Sequence, residues 1–186
     1  MSRPSIQIDT NLKSPDLRSG HDLYAVLSSA LRARAAFERE NGDESPAFWP
    51  AGHFNLDQVT IFRGASEEEK VMILEACGRD ILEEAYAIEK CGMYFASKMS
   101  LLADSTQERM LYSLFASDEA VHFNWISNYV SADRVQQATR NPFIKLLDSV
   151  LQNEDKLALT YIVQVILEGW GISHYHALSR NTIMRG

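Results

Sequence analysis

The stretch Met99-Ser100-Leu101-Leu102-Ala103-Asp104-Ser105-Thr106-Gln107-Glu108 decides the fold. Helix-favouring sequence runs into it from Ser66 and leaves it toward Val130. Ala103-Asp104-Ser105 breaks the pattern. Ser105 and Glu108 then stand at capping-box spacing, where the hydroxyl accepts from the N3 amide and the acid reaches back to the cap. Ser66 and Glu69 repeat that spacing at the start of the preceding run. Two long helices joined by so short a break must fold back on each other as an αα-hairpin.

Upstream, residues 1–20 read as a flexible leader. An amphipathic stripe of Leu23, Val26, Leu27, Ala30, Leu31 and Phe37 predicts a helix over residues 21–40. Residues 41–64 hold Pro46, Pro50, three glycines and the rings of Phe48, Trp49, Phe54 and Phe62, which predicts an ordered connector packed through its aromatics. Downstream, Asp133–Glu154 differs from the hairpin. Asn141-Pro142 reads as an N-cap with a first-turn proline and predicts a short helix over about Phe143–Gln152. An apolar helix is expected from about Asp155 to Arg180. The expected fold is therefore all-α: a single helical domain over 21–186 with a bundle core in 66–186. A long crossover between its second and third core helices is the connection of ferritin-like bundles rather than of up-down ones.

Composition excludes several function classes. The net charge of −7 comes with no Lys/Arg cluster, so there is no electrostatic footprint for nucleic acid or for an anionic membrane. No apolar run reaches transmembrane length, since Leu157–Leu167 is interrupted by Thr160 and Gln164. Cys77 and Cys91 fall in one predicted helix, roughly 20 Å apart, too far for a disulfide. Reduced thiols and the lack of a signal-type apolar segment in Met1–Ser19 lead us to expect a cytoplasmic protein.

The second hairpin helix carries Glu119-Ala120-Val121-His122, on a face marked by Leu111, Phe115, Ile126 and Tyr129. The i,i+3 spacing points Glu119 and His122 the same way. Measured from the turn at about 1.5 Å per residue, they lie roughly 22 and 26 Å along their helix, and Glu89 lies roughly 23 Å along the facing one. Glu89 shares its face with Leu82, Ala85, Ile88, Gly92, Ala96 and Met99. Glu83 shares a side with Arg79, Asp80, Ala87 and Lys90 and is expected to be solvated; Glu84 is intermediate and a reserve candidate. Glu168 is the one acidic residue in 157–186, followed by Gly169 and Gly171. Each mid-helix glycine costs about 1 kcal/mol relative to alanine, so close helix approach or a distortion beside a cavity is expected there.

Carboxylates on apolar helical positions need partners. A metal ion would be one, and a salt bridge to Lys98 or Arg180 another; His122 alone reads equally as a hydrogen-bonded core histidine. Asp118 suits either a solvated position or a group orienting the second nitrogen of His122. Tyr86, Tyr112, Tyr129 and Tyr161 read as packing aromatics rather than radical sites; His174, Tyr175 and His176 suit either a substrate entrance or, as the plainer reading, an interface.

Glu89, then Glu119-x-x-His122 about thirty residues on, then Glu168 across a crossover, resembles the non-haem diiron carboxylate oxygenases and oxidases of the ferritin-like superfamily. The resemblance covers roughly residues 66–180. It implies two iron ions, or a Mn/Fe pair, held by Glu89, Glu119, His122 and Glu168. It also implies O2 and a small or lipid-like organic substrate. Electrons would come from an external donor, because the chain has neither a Rossmann fingerprint nor a cysteine cluster. The pattern calls for a further helix with a second Glu-x-x-His, so the core is expected to be C-terminally incomplete, with four ligands where the family has six. His176 is the reserve for a missing ligand, although it lies about 80° around the helix from Glu168. Two alternatives stand beside this reading. One is ferritin- or rubrerythrin-like metal storage or peroxide detoxification, against which the lack of Cys-x-x-Cys pairs counts. The other is a metal-free helical scaffold that forms a homodimer.

Overall fold

The computed structural model describes residues 48–130, 141–153 and 155–181, with Ala25 and Ser29 as isolated positions. The expected leader, nearly all of the expected helix 21–40, residues 41–47 of the expected connector, and residues 131–140 and 154, which take in the start and end of the expected crossover 133–154, lie outside the described residues. Those described are all-α, with no strand among them.

The aromatic connector ends in two 3-10 turns, Ala51–Phe54 and Leu56–Gln58, and a short helix α1, Thr60–Gly64. Helix α2 spans Glu67–Leu102 and α3 spans Thr106–Ser127, forming the hairpin. Helix α4 spans Pro142–Leu151. The last rod, α5, starts as Lys156–Leu159, widens into a π-helical stretch over Thr160–Leu167, and returns to α geometry over Glu168–Asn181.

Side chains of the connecting segments fix these helices against one another. At Ser66 the capping box is complete: Ser66 Oγ accepts from the Glu69 amide and Glu69 Oε2 from the Ser66 amide. At Ser105 it is half made. Ser105 Oγ accepts from the Glu108 amide, but Glu108 Oε2 accepts from the Asp104 amide. Lys156 explains the change, because its Nζ sits 2.6 Å from Asp104 Oδ2 and 2.8 Å from Glu108 Oε2, tying the hairpin turn to the start of α5. Asn141 caps α4 through Oδ1 and donates from Nδ2 to Glu84 on α2. Lys98 donates to the carbonyl oxygens of Leu151 and Asn153, drawing the other end of α4 onto α2.

Two apolar clusters flank the middle of the bundle. Near the turn, Phe95, Met99, Tyr112, Leu147, Leu151, Leu159 and Val163 are buried together. Toward the opposite end, Trp49 packs with Leu82 and Leu178. Its indole Nε1 donates to the Leu178 carbonyl at 3.0 Å, so the connector clamps the far end of α5.

Periodicity misjudged three positions. Glu83, expected to be solvated, is buried. Helix α2 is covered on more than one side: Ala87, one turn from Glu83, is buried in a cluster with Ile144 of α4. Leu111 and Tyr129, expected to point inward, are 45% and 43% exposed. The strip of α3 that is buried is narrow, holding Tyr112 and Val121, because α3 packs chiefly on α2 among the described residues.

Of the two reasons expected for Gly169 and Gly171, close approach is not found. A Cβ at either would meet nothing described within 4 Å. The helical distortion does occur, immediately before them: the Glu168 amide bonds the Val163 carbonyl, a wide i→i+5 turn. No described helix is long and apolar enough to cross a membrane, and both cysteines are free thiols.

Candidate metal centre

Glu89 stands in the middle of α2, and Glu119 and His122 in the middle of α3. Equal height across the hairpin brings them together: one ligand atom from each lies within 4.8 Å of the others. His122 Nδ1 is 3.4 Å from Glu89 Oε2 and 4.0 Å from Glu119 Oε2. The Glu89 side chain is 10% exposed and that of Glu119 20%, whereas that of His122 is 47% exposed. The carboxylates are inside and the imidazole is the open edge.

Two further residues shape the cluster. A Cβ at Gly92 would stand 2.6 Å from Glu119 Oε2 and 2.7 Å from its Cδ. Only glycine leaves the Glu119 carboxylate its present place against α2. From α5, the Tyr175 hydroxyl donates to Glu89 Oε1 at 3.1 Å. Sequence reasoning gives neither residue a role in the ligand cluster: Gly92 is only an apolar neighbour of Glu89, and Tyr175 only a candidate for a substrate entrance or an interface. A signal for both was there: Gly92 is one turn from Glu89, and Tyr175 is two turns from Glu168, nearly in phase with it.

The electrostatics divide the two carboxyls. Burial alone would raise the Glu89 group. The hydrogen bonds from His122, Glu119 and Tyr175, with the charge of His122, outweigh it and hold Glu89 below the ordinary range. Glu119 goes the other way. Burial, then its hydrogen bond to Glu89 and the charges of Glu89, Glu168 and Asp118, push it up to about 9. Of the two facing carboxyls, Glu119 is the one that favours its protonated form. The same Glu89 contact raises His122 against the effect of its own partial burial, helped by the charges of Asp118 and Glu168. Partial desolvation at the cavity rim and the charge of Glu89 also raise Glu168, with His122 acting against them.

The remaining predicted residues take different places. Glu168 is exposed and borders the same cavity as Glu89, Glu119 and His122, outside the group whose ligand atoms converge. Asp118 is exposed and acts on His122 through its charge. Glu84, the reserve ligand, is bonded to Asn141. His176, the other reserve, is exposed and stands outside both the cluster and the cavity lining.

One buried and one half-buried carboxyl with an imidazole are a donor set suited to a first-row transition ion. The cradle at Gly92 and the proton held between Glu89 and Glu119 fit a cation, because a positive ion removes the repulsion that keeps Glu119 protonated. No family model, curated protein or solved structure matches the chain, so the chemistry of the centre rests on its own residues.

Proposed function

We propose that this protein is a ferritin-like dimetal-carboxylate oxidoreductase, in its simplest form a diiron one, that uses O2 to oxidise a small or lipid-like organic substrate. The observation that supports the reading is the convergence of Glu89, Glu119 and His122 from two neighbouring long helices. Glu89, Glu119 and His122 would hold the metal, with Glu168 as a further carboxylate at the cavity rim. Mn/Fe and Fe/Fe pairs use the same ligands. When bound, the metal supplies reductive activation of O2 with electrons from an external donor.

The chain's own part is to hold and release protons and to leave an open side. Glu119 gives up its proton on loading, which turns the acid-carboxylate pair into two anionic donors. Tyr175 fixes Glu89 by donating to the oxygen that does not face His122. His122 leaves the centre reachable from solvent, where a donor protein and O2 would arrive.

A second reading has an observation of its own. The cluster satisfies itself without an ion, through the His122–Glu89 contact, the Glu119 proton and the Tyr175 hydroxyl. Leu114, Val165 and Ile172 meanwhile leave apolar surface exposed on α3 and α5. That combination suits a metal-free scaffold that dimerises. Oxygen uptake separates the readings. Protein loaded anaerobically with Fe(II) and given a chemical reductant should consume O2 well above free Fe(II), and Glu119→Ala should remove the excess. Equal uptake by both proteins would favour the scaffold.

A further inference from the structure

The cluster occupies one wall of a cavity of about 120 Å³. The rest of the lining is largely apolar. Helix α4 contributes Phe143, Leu147 and Leu151, and the π-helical stretch of α5 contributes Val163 and Leu167. Leu147, Leu151 and Val163 are 5%, 0% and 5% exposed, so this part of the lining is firmly packed from behind. Cys91 also lines the space, as a free thiol. Among the described residues no Lys or Arg reaches the cavity; its one basic group, His122, is engaged with Glu89.

These features select a ligand. An apolar cavity of about 150 Å³ stays dry and binds benzene, so this one takes roughly six heavy atoms. In the metal-free chain a carboxylate or phosphate entering it would lose its hydration with no free cation to meet it, beside Glu89 and Glu168. A long acyl chain would fit only by its end.

From this shape and lining we infer that the cavity binds a small uncharged apolar group, a single ring or short alkyl segment, and holds it against the carboxylate cluster. Resting on the oxidoreductase reading, the inference narrows its substrate class from small or lipid-like molecules to those whose reacting end is an apolar group of benzene size. The π-helical stretch has a defined part in this. Val163 and Leu167, four residues apart, share a face as in any helix; the wide turn brings Glu168, five residues after Val163, round to the same cavity, where a regular α-helix would turn it away.

The probe is toluene, with benzoate as its charged counterpart, titrated into the full-length metal-free chain. Methyl resonances of Leu147, Leu151, Val163 and Leu167 should shift saturably with toluene, with a Kd on the order of 1 mM or tighter. Benzoate should bind at least about tenfold more weakly. Val163→Phe and, separately, Leu147→Phe should fill the space and abolish the toluene shifts, with circular dichroism reporting that each variant keeps its helices. Unsaturable shifts in the parent chain would overturn the inference. So would benzoate binding as well as toluene, or undiminished binding by a folded filled variant. Metal titration is run separately on the same samples. Toluene binding without metal binding keeps the pocket and sinks the oxidoreductase reading; metal binding without toluene binding does the reverse.

Discussion

Gly92 and Glu119 face each other across the α2–α3 hairpin so closely that a methyl group on Gly92 would overlap the Glu119 carboxylate. The glycine is a cost to α2, about 1 kcal/mol against alanine in a helix interior. Gly92→Ala should therefore leave the helix content intact and move Glu119 away from His122. Metal affinity should fall roughly tenfold or more, the range typical for disturbed support of a ligand. Isothermal titration of parent and variant measures it, and unchanged affinity would mean that Glu119 is not a ligand.

Tyr175 is the one described tie from α5 to the buried carboxylate. Tyr175→Phe removes a hydrogen bond to a charged acceptor, worth about 1.5–3 kcal/mol. The metal-free variant should lose stability of that order in urea denaturation. A loss below about 0.5 kcal/mol would mean that the hydroxyl is satisfied equally well by water.

Glu119 makes the metal-free protein sensitive to alkali. Its folded value of about 9 lies above the ordinary 4.5, so the acid form carries the stability. That contribution is fully present below pH 4.5 and is lost as pH rises toward 9. His122, also raised, acts with the same sign above its ordinary 6.5. Glu89, lowered, loses its contribution only as pH falls below 4.5, outside this window. Unfolding free energy should thus decline between about pH 6 and 9, by at most about 1.4 kcal/mol per pH unit for each proton lost. Glu119→Gln should flatten the slope, as should saturating metal. Parallel slopes in parent and variant would contradict this account.

Asn141 links two jobs, capping α4 and holding Glu84. Asn141→Ala should destabilise the fold by about 1–2 kcal/mol through the lost cap. Glu84→Gln should leave metal affinity within about twofold of the parent, the spread of a distant surface change. A tenfold loss in Glu84→Gln would return Glu84 to the ligand set.

The hairpin was legible because its signals are local. Ser66, Ser105 and their acids announce the ends, and a fixed rise per residue sets Glu89 level with Glu119 and His122. What escaped depends on neighbours that periodicity cannot see. Glu83 is buried because α2 is covered on more than one side, and Leu111 is exposed because α3 packs on so few sides. The π-helical stretch changes the phase of α5 after Thr160, so no regular helical wheel places Glu168 and Tyr175 correctly relative to Leu159. The half-made box at Ser105 depends on Lys156, forty-eight residues from Glu108.

The most direct test of the central claim is an anaerobic titration with Fe(II) or Co(II), read by bound metal per chain after desalting. The account predicts saturable binding of at least one ion per chain, lost in both Glu119→Ala and His122→Ala while circular dichroism stays unchanged. Binding that survives both substitutions, or no retained ion in the folded parent chain, would contradict it.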